Sequence, residues 1–159
     1  MRPHHHVYVI SLTMLLMGAL GACTDGGGLP PGVARVEAVS PQERITRTYI
    51  EAFSGRDIEA MLSLCTDDIR WGYVEGAVYA QAGMGKAALR EELQGYFAGV
   101  PTVTSEIVSM MANGDSIAIT EQVSWTPNGS TEAKTSKALG VYQFRDRKIA
   151  AVWYFPREE

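Results

Sequence analysis

Residues 40–159 are predicted to form one α+β domain, in which a curved, mostly antiparallel sheet wraps around three N-terminal helices. Two observations support this fold class. Before Pro101, apolar residues recur mainly at helical spacing, whereas after it they alternate with polar residues as in half-buried strands. The second half also contains short turn sequences of the kind that join antiparallel strands. Helices followed by such a meander are typical of α+β domains, and we expect the sheet to curl and leave a pocket.

The first helix is predicted by a capping box. Ser40 is a suitable N-cap, Pro41 fits the first turn, and Glu43 stands three residues after the cap. Gly55 marks the end of the helix. Between these signals, apolar side chains recur every four residues and form one face, which consists of Ile45, Tyr49 and Phe53.

Two more helices and one early strand precede the meander. Asp57 caps a second short helix that runs to Cys65, whose thiol is expected to be buried and free. Residues 69–74 are predicted to form a short strand. A third helix begins near Gly85 and ends near Gly99, and its apolar face is formed by Leu89, Leu93 and Phe97.

The meander is predicted to contain four strands, at residues 102–112, 115–125, 131–145 and 148–155. Its strongest hairpin sequence is the turn at Asn113-Gly114. If that turn is a two-residue hairpin, Glu106 lies opposite Glu121. Two facing carboxylates would raise the pKa of one of them and make it a general acid or base.

The first 39 residues predict export and attachment to a membrane. Arg2 is followed by an apolar stretch, residues 7–20, which has the length of a signal-peptide core and is too short to span a bilayer comfortably. The Gly-Ala-Cys run that ends at Cys23 resembles the bacterial lipobox, in which the thiol is acylated and the signal peptide is cut before it. We expect residues 1–22 to be removed, Cys23 to carry the lipid, and residues 23–39 to form a flexible tether to the cell membrane or outer membrane.

The composition argues against several classes of partner. The net charge of −4 and the scattered Lys and Arg residues do not suit a nucleic-acid partner. No metal site is expected, because neither cysteine stands at a zinc-ligand spacing and the run His4–His6 precedes the apolar stretch. Residues 83–86 resemble part of a phosphate loop, but Ala87 stands where that loop needs Ser or Thr. No cofactor is predicted.

Two stretches of the meander carry a family resemblance. They are Thr120-Glu121-Gln122-Val123-Ser124 and Leu139-Gly140-Val141-Tyr142-Gln143-Phe144, the second followed by Lys148-Ile149. Both are similar to runs in limonene-epoxide hydrolases of the nuclear-transport-factor-2-like superfamily, which also includes ketosteroid isomerases and SnoaL-like polyketide cyclases. The resemblance implies that residues 41–156 form a cone-shaped curved sheet around three helices. It does not fix the chemistry, because function depends on the site that a fold carries.

The catalytic residues of those hydrolases are not retained. The Arg and Asp that face the pocket from one strand fall on Gln122 and Ser124, and a second Asp falls on Tyr154. A Tyr and an Asn of the first strand fall near Arg70 and Gly72. The Asp that polyketide cyclases place near the end of the chain is also missing. Since Gln122 and Ser124 do not ionise usefully near neutral pH, the resemblance does not imply that this set activates water.

The strand at 115–125 has two alternative orientations. Alternation alone places its apolar face inside the domain and buries Glu121 there. The resemblance implies the reverse, with Gln122 and Ser124 lining the pocket and the apolar face packed against a second subunit, and on this basis we expect a homodimer. The apolar face consists of Ile117, Ile119, Val123 and Trp125.

The last two strands are expected to extend the same apolar face. The turn at Asp146-Arg147 pairs Phe144 with Ile149 and Tyr142 with Ala151. In this register, five apolar side chains lie on one side of the sheet, namely Tyr142, Phe144, Ile149, Trp153 and Phe155.

The sequence therefore predicts a membrane-tethered lipoprotein whose SnoaL-like domain binds a small hydrophobic molecule. The side chains expected to contact the ligand are Tyr49, Phe53, Trp71, Tyr73, Gln122, Ser124, Val141 and Tyr154. One alternative is an isomerase, cyclase or hydrolase with a non-standard site, for which Glu121, Tyr154 and Arg70 are the candidate catalytic residues. A second alternative is an interaction protein of the cell envelope.

Overall fold

The computed structural model describes residues 39–76 and 78–155. The predicted signal peptide, Cys23 and all of the predicted tether except Val39 lie outside the described residues. None of the helices within the described ranges is long and apolar enough to cross a membrane. The elements in chain order are α1 (Pro41–Ser54), α2 (Ile58–Ser63), β1 (Cys65–Glu75), β2 (Val78–Met84), α3 (Lys86–Gly99), β3 (Thr102–Asn113), β4 (Ser116–Thr126), β5 (Lys134–Arg145) and β6 (Lys148–Tyr154).

The α+β fold class is confirmed. The six strands form a single curved, open sheet in the order β2-β1-β6-β5-β4-β3, and only the β1–β6 pair among them is parallel. The helices pack on one face of this sheet, α1 against β3 and β4, and α3 against β1 and β2. The largest fully buried apolar side chains between the layers are Tyr142, Met61, Ile69, Ile117, Ile119 and Ile149.

Local signals predicted the helix starts correctly. Ser40 Oγ accepts a hydrogen bond from the Glu43 backbone N–H at 3.1 Å, and the Glu43 carboxylate accepts one from the Ser40 backbone N–H at 2.6 Å. This reciprocal pair is the predicted capping box. Asp57 caps α2 by accepting from the Ala60 backbone N–H at 2.9 Å. Cys65 is buried and free as expected, but it begins β1 rather than ending α2.

The edge strand β2 was not predicted. Its side chains are almost all exposed, so the sequence lacks the alternation that marks a half-buried strand. Gly83, which belonged to the phosphate-loop-like run, lies in β2 opposite Trp71. Lys86 begins α3, and its ammonium lies 2.9 Å from the Asp67 carboxylate. Residues 83–86 therefore form the junction between β2 and α3.

The register of the β3–β4 hairpin differs from the expected one. Asn113 pairs with Ser116, so the two loop residues are Gly114 and Asp115, and Gly114 has a positive φ of 57°. A bulge between Ile107 and Ser109 then moves the register back by one residue. As a result Ile107, and not Glu106, lies opposite Glu121. The predicted pair of facing carboxylates is wrong.

A second irregularity changes which side chains of β6 point inward. Phe144 pairs with Ile149 as predicted, but the register then shifts, and Tyr142 pairs with Val152 rather than with Ala151. The shift moves Trp153 to the face opposite Tyr142, where its ring packs against Tyr79 at 4.7 Å between centroids. The predicted placement of Trp153 with the buried face is therefore wrong.

Candidate ligand-binding cavity

A cavity of about 800 Å³ lies between the helices and the inner face of the sheet. Its wall is mainly apolar, and among the described residues it includes eight aromatic side chains, two glutamates and one serine. The aromatic side chains are Tyr49, Phe53, Trp71, Tyr73, Tyr96, Trp125, Tyr154 and Phe155. Concave, mostly apolar sites with a few convergent polar groups are typical of small-molecule binding.

The apolar face of β4 points into the domain. Ile117 and Ile119 are buried in the core, and Glu121, Val123 and Trp125 continue the same face along the cavity wall. The placement by alternation is correct. The placement implied by the resemblance, with the small polar face lining the pocket, is wrong for this chain, because exposing the apolar face would forfeit the burial of several large side chains.

The structure brings five of the eight predicted ligand-contacting residues together. They are Tyr49, Phe53, Trp71, Tyr73 and Tyr154, which all line the cavity. Gln122 and Ser124 lie on the outer face of β4, where Ser124 Oγ is 3.0 Å from Thr135 Oγ1. Val141 pairs with Trp153 and lines a shallow outer groove. These three residues do not contribute to the cavity.

Two of the three candidate catalytic residues meet in the cavity. Glu121 enters from β4 and Tyr154 from β6, whereas Arg70 is exposed and lies outside the cavity wall. Tyr154 points inward because of the register shift between β5 and β6, which the sequence did not reveal. Its inclusion among the predicted site residues came from the resemblance, although the expected inward partners, Gln122 and Ser124, point the other way.

Glu121 is the most buried polar group of the cavity wall, with only 3% of the residue exposed. Ser105 Oγ donates a hydrogen bond to its carboxylate oxygen Oε1. Burial raises the pKa of this carboxyl, and the hydrogen bond from Ser105 opposes part of that rise. Glu121 therefore stays protonated to a higher pH than an ordinary surface glutamate does. It can hold or release a proton closer to neutral pH.

Three tyrosines surround this carboxyl. Tyr142 Oη and Tyr154 Oη lie 3.2 Å apart, and the rings of Tyr49 and Tyr142 pack edge to face with 5.9 Å between centroids. Burial is the main cause that raises the pKa of all three phenols, and the nearby Glu121 charge raises it further. The phenols therefore remain protonated, and the hydroxyls of Tyr142 and Tyr154 form a neutral pair near one titratable carboxyl.

Among the cavity residues that carry a hydroxyl or carboxyl group, sequence reasoning missed Glu92, Tyr96 and Ser136. Trp71 Nε1 donates to Glu92 Oε2 at 2.7 Å, which ties β1 to α3 at the cavity wall. Ser136 Oγ is buried there and has no hydrogen-bond partner among the described residues. Glu92 and Tyr96 each stand three residues after a predicted core position of α3, so a wider helical stripe would have included them. Ser136 lies an even number of residues before the inward-facing Tyr142 on β5, so alternation along this strand would have placed it on the cavity side.

The described residues that line the cavity do not form a metal-binding site. No group of three or more His, Cys, Asp or Glu side chains in that part of the chain is arranged to hold an ion. The lining there also contains no Lys, Arg or His. The arrangement can accept hydrogen bonds at Glu121 and Ser136 and can exchange a proton at Glu121.

Comparison with known proteins gives a family and a fold. A family model described as a SnoaL-like domain matches residues 46–152. An uncharacterised cystatin-fold protein from Novosphingobium aromaticivorans has a TM-score of 0.65 and 24% identity, covering 75% of this chain and 100% of that chain. A putative SnoaL-like polyketide cyclase from Shewanella denitrificans has a TM-score of 0.63 and 12% identity, covering 74% of this chain and 90% of that chain.

A third solved structure carries a different activity in its description. An LEH-like epoxide hydrolase of M. tuberculosis has a TM-score of 0.60 and 14% identity, covering 72% of this chain and 81% of that chain. A search of curated protein sequences finds no match. At these identities the structural similarity establishes the fold and leaves the chemistry to the site itself.

Proposed function

We propose that this chain, which belongs to the SnoaL-like domain family, binds a small hydrophobic molecule in its cavity. The observation that carries the proposal is the cavity of about 800 Å³, which combines an aromatic wall with a few convergent polar groups at Glu121, Tyr154 and Ser136. Such a cavity suits a molecule with an apolar body and one polar end. Its volume also argues against a purely structural role in the envelope.

Binding of a neutral fluorescent probe tests this function. We expect residues 40–159 to bind N-phenyl-naphthylamine, with energy transfer from Trp71 and Trp125 in the cavity wall. Ala138→Phe fills the cavity and is expected to weaken binding about tenfold or more, which corresponds to about 1.4 kcal/mol. Ala88→Phe makes the same substitution on the exposed side of α3 and should leave binding unchanged. A wild-type domain that does not bind the probe would contradict the proposal.

An acid–base enzyme is the second candidate function. The specific observation in its favour is the buried Glu121 carboxyl with a raised pKa, next to the hydroxyls of Tyr142 and Tyr154. A carboxyl of this kind can take a proton from one atom of a bound molecule and return it to another, as an isomerase or cyclase requires. Chromatography and NMR of the recovered molecule separate the two functions, since an isomer formed by proton transfer has the same mass as its precursor but a different spectrum, whereas a binding protein returns the molecule unchanged.

Membrane attachment through Cys23 is part of the proposal. The lipobox-like run and the tether of residues 23–39 support it. We expect Cys23→Ser to abolish labelling by a fatty-acid analogue and to release the chain from membranes or leave the precursor uncut, because no thiol remains to carry the acyl chains. Cys65→Ser is the matched control and should leave both labelling and membrane association intact. Equal labelling of the wild type and the Cys23→Ser variant would contradict the assignment.

A homodimer remains a proposal, now with a different contact surface. The apolar face of β4 points inward, so it cannot form the interface predicted above. The outer face of the sheet carries Leu139 and Tyr79, which are 42% and 47% exposed, together with Trp153. We expect residues 40–159 to sediment as a dimer and Leu139→Glu to yield a folded monomer, because a charge replaces an apolar contact. A monomeric wild type would remove the dimer from the proposal.

A further inference from the structure

We infer that the cavity selects hydrophobic amines over neutral and acidic molecules of the same shape. This inference rests on the proposed binding function and names the chemical class of its ligand. It follows from which charged, polar and aromatic groups the described residues place around the cavity.

The charged groups of the wall are of one sign. Glu121 from β4 and Glu92 from α3 are the ionisable acids that line the cavity, and the described lining contains no Lys, Arg or His to balance them. Glu121 is 3% exposed, so its charge is poorly screened by water. A carboxylate or phosphate ligand would add a like charge at short range in a low-dielectric site, which is strongly unfavourable. A cationic ligand would supply the missing opposite charge.

The aromatic wall also suits a cation. Eight aromatic side chains line the cavity within the described residues, and the rings of Tyr73 and Tyr154 lie 6.3 Å apart between centroids close to the Glu121 end. The faces of aromatic rings carry negative electrostatic potential and attract ammonium groups, with more effect where water is excluded. The same rings provide apolar surface for the rest of the molecule.

The hydrogen-bonding groups favour a ligand that donates. Glu121 accepts from Ser105 at one oxygen, but a carboxylate has about four lone-pair sites and can accept more. Ser136 Oγ is buried in the wall and has no partner among the described residues, so it is available to accept from a ligand or to donate to one. A primary ammonium has three N–H donors and no acceptor. A carbonyl or an ether can accept from the Ser136 hydroxyl but has no donor for the Glu121 carboxylate.

The protonation of Glu121 gives the selectivity a pH dependence. The groups that face this carboxyl are Ser105 from β3, Tyr49 from α1, Tyr142 from β5 and Tyr154 from β6, and Glu92 from α3 lines the same cavity. Because burial raises the pKa of Glu121 in the empty cavity, an ammonium that pairs with the ionised form binds better above that pKa. Amine affinity is therefore lost as the pH falls through it.

A matched ligand series tests the inference. The three ligands are adamantylmethylamine, adamantylmethanol and adamantanecarboxylic acid, which share one apolar body, and titration calorimetry on residues 40–159 measures their affinities at about pH 8. This part of the chain contains the described core, and its alignment with one solved chain of the same fold covers 100% of that chain. We expect the amine to bind about tenfold or more tightly than the alcohol, and the acid to bind most weakly.

Two variants assign the selectivity to the cavity. Glu121→Gln keeps the size of the side chain and should remove the advantage of the amine and its pH dependence, while alcohol binding persists and reports that the domain is folded. Glu106→Gln, on the exposed part of β3, is the matched control and should retain the wild-type order. If Glu121→Gln does not fold, the order of the three ligands on the wild type and its change between about pH 8 and pH 5 decide the matter.

The possible failures are distinguishable. If neither the three ligands nor the neutral probe binds, the proposed binding function is wrong, and the inference falls with it. If the alcohol or the acid binds as tightly as the amine, the binding function stands and the ligand class is wrong. A preference for the amine that persists in Glu121→Gln would overturn the role of this carboxyl.

Discussion

Ile119→Glu is expected to unfold the domain. Ile119 is 1% exposed and lies on the inner face of β4, between Met110 of β3 and Gly140 of β5. A glutamate at this position would bury a charge with no partner and remove a large apolar side chain from the core. Leaving one uncompensated charge buried costs about 3–5 kcal/mol, and a domain of this size has roughly 5–15 kcal/mol of stability in total. Circular dichroism during urea unfolding measures the loss.

The neighbouring residue provides the control. Thr120→Glu adds the same carboxylate one position further along β4, on the outer face of the sheet opposite Leu139. Because successive side chains of a strand point to opposite faces, this variant should keep the circular dichroism spectrum and nearly the stability of the wild type. If instead Thr120→Glu unfolded and Ile119→Glu remained folded, the inner and outer faces of the sheet would be reversed from those in the structure.

The elements that sequence analysis predicted best are those with local causes. The start of α1 follows from Ser40, Pro41 and Glu43, which act within one turn, and the buried face of β4 follows from strict alternation. The strand β2 was missed because the side chains of this edge strand are mostly exposed, so its sequence does not need to alternate between apolar and polar residues. Its position is set by pairing with β1, which is a tertiary contact that the local sequence does not encode.

Changes of register account for the two wrong strand pairings. The turn at Gly114-Asp115, one residue later than expected, separates Glu106 from Glu121, and the bulge near Gln143 turns Tyr154 inward and Trp153 outward. A bulge adds a single residue to one strand and reverses the side-chain parity beyond it. A prediction from alternation assigns side chains to faces by counting residues from the turn, so its assignments are reversed beyond a bulge. Alternation placed Glu121 on the buried face correctly because β4 itself is regular.

The family resemblance and the alternation of β4 gave opposite placements, and burial explains which one holds. The resemblance fixed the superfamily but transferred two inward positions to Gln122 and Ser124. Turning β4 to suit them would expose Ile117 and Ile119, whose full burial is worth roughly 1.5–3 kcal/mol each. The fold thus keeps the apolar face inside, and the polar centre of this cavity is formed instead by Glu121 and its tyrosines.

Gly83→Ala is expected to displace Trp71 and to destabilise the domain. A Cβ at position 83 would lie 2.2 Å from Cζ2 and 2.5 Å from Cη2 of the Trp71 indole, well inside van der Waals contact. The indole has little room to move, because Trp71 is buried and its Nε1 donates to Glu92 at 2.7 Å. Forcing an extra carbon into a packed site costs about 1–3 kcal/mol. Chemical denaturation measures the cost, and tryptophan fluorescence reports the displaced ring.

A helical glycine supplies the control for this variant. A Cβ added to Gly95 in α3 would meet no atom within 4 Å, so Gly95→Ala should be neutral or should stabilise by up to about 1 kcal/mol, since alanine suits a helix better than glycine. The double variant Trp71→Leu with Gly83→Ala isolates the clash. Because leucine lacks the indole that meets the new methyl group, Gly83→Ala should cost much less in that background than in the wild type. An equal cost in both backgrounds would show that Gly83 is required for the β2 backbone and not for the packing of Trp71 at the cavity wall.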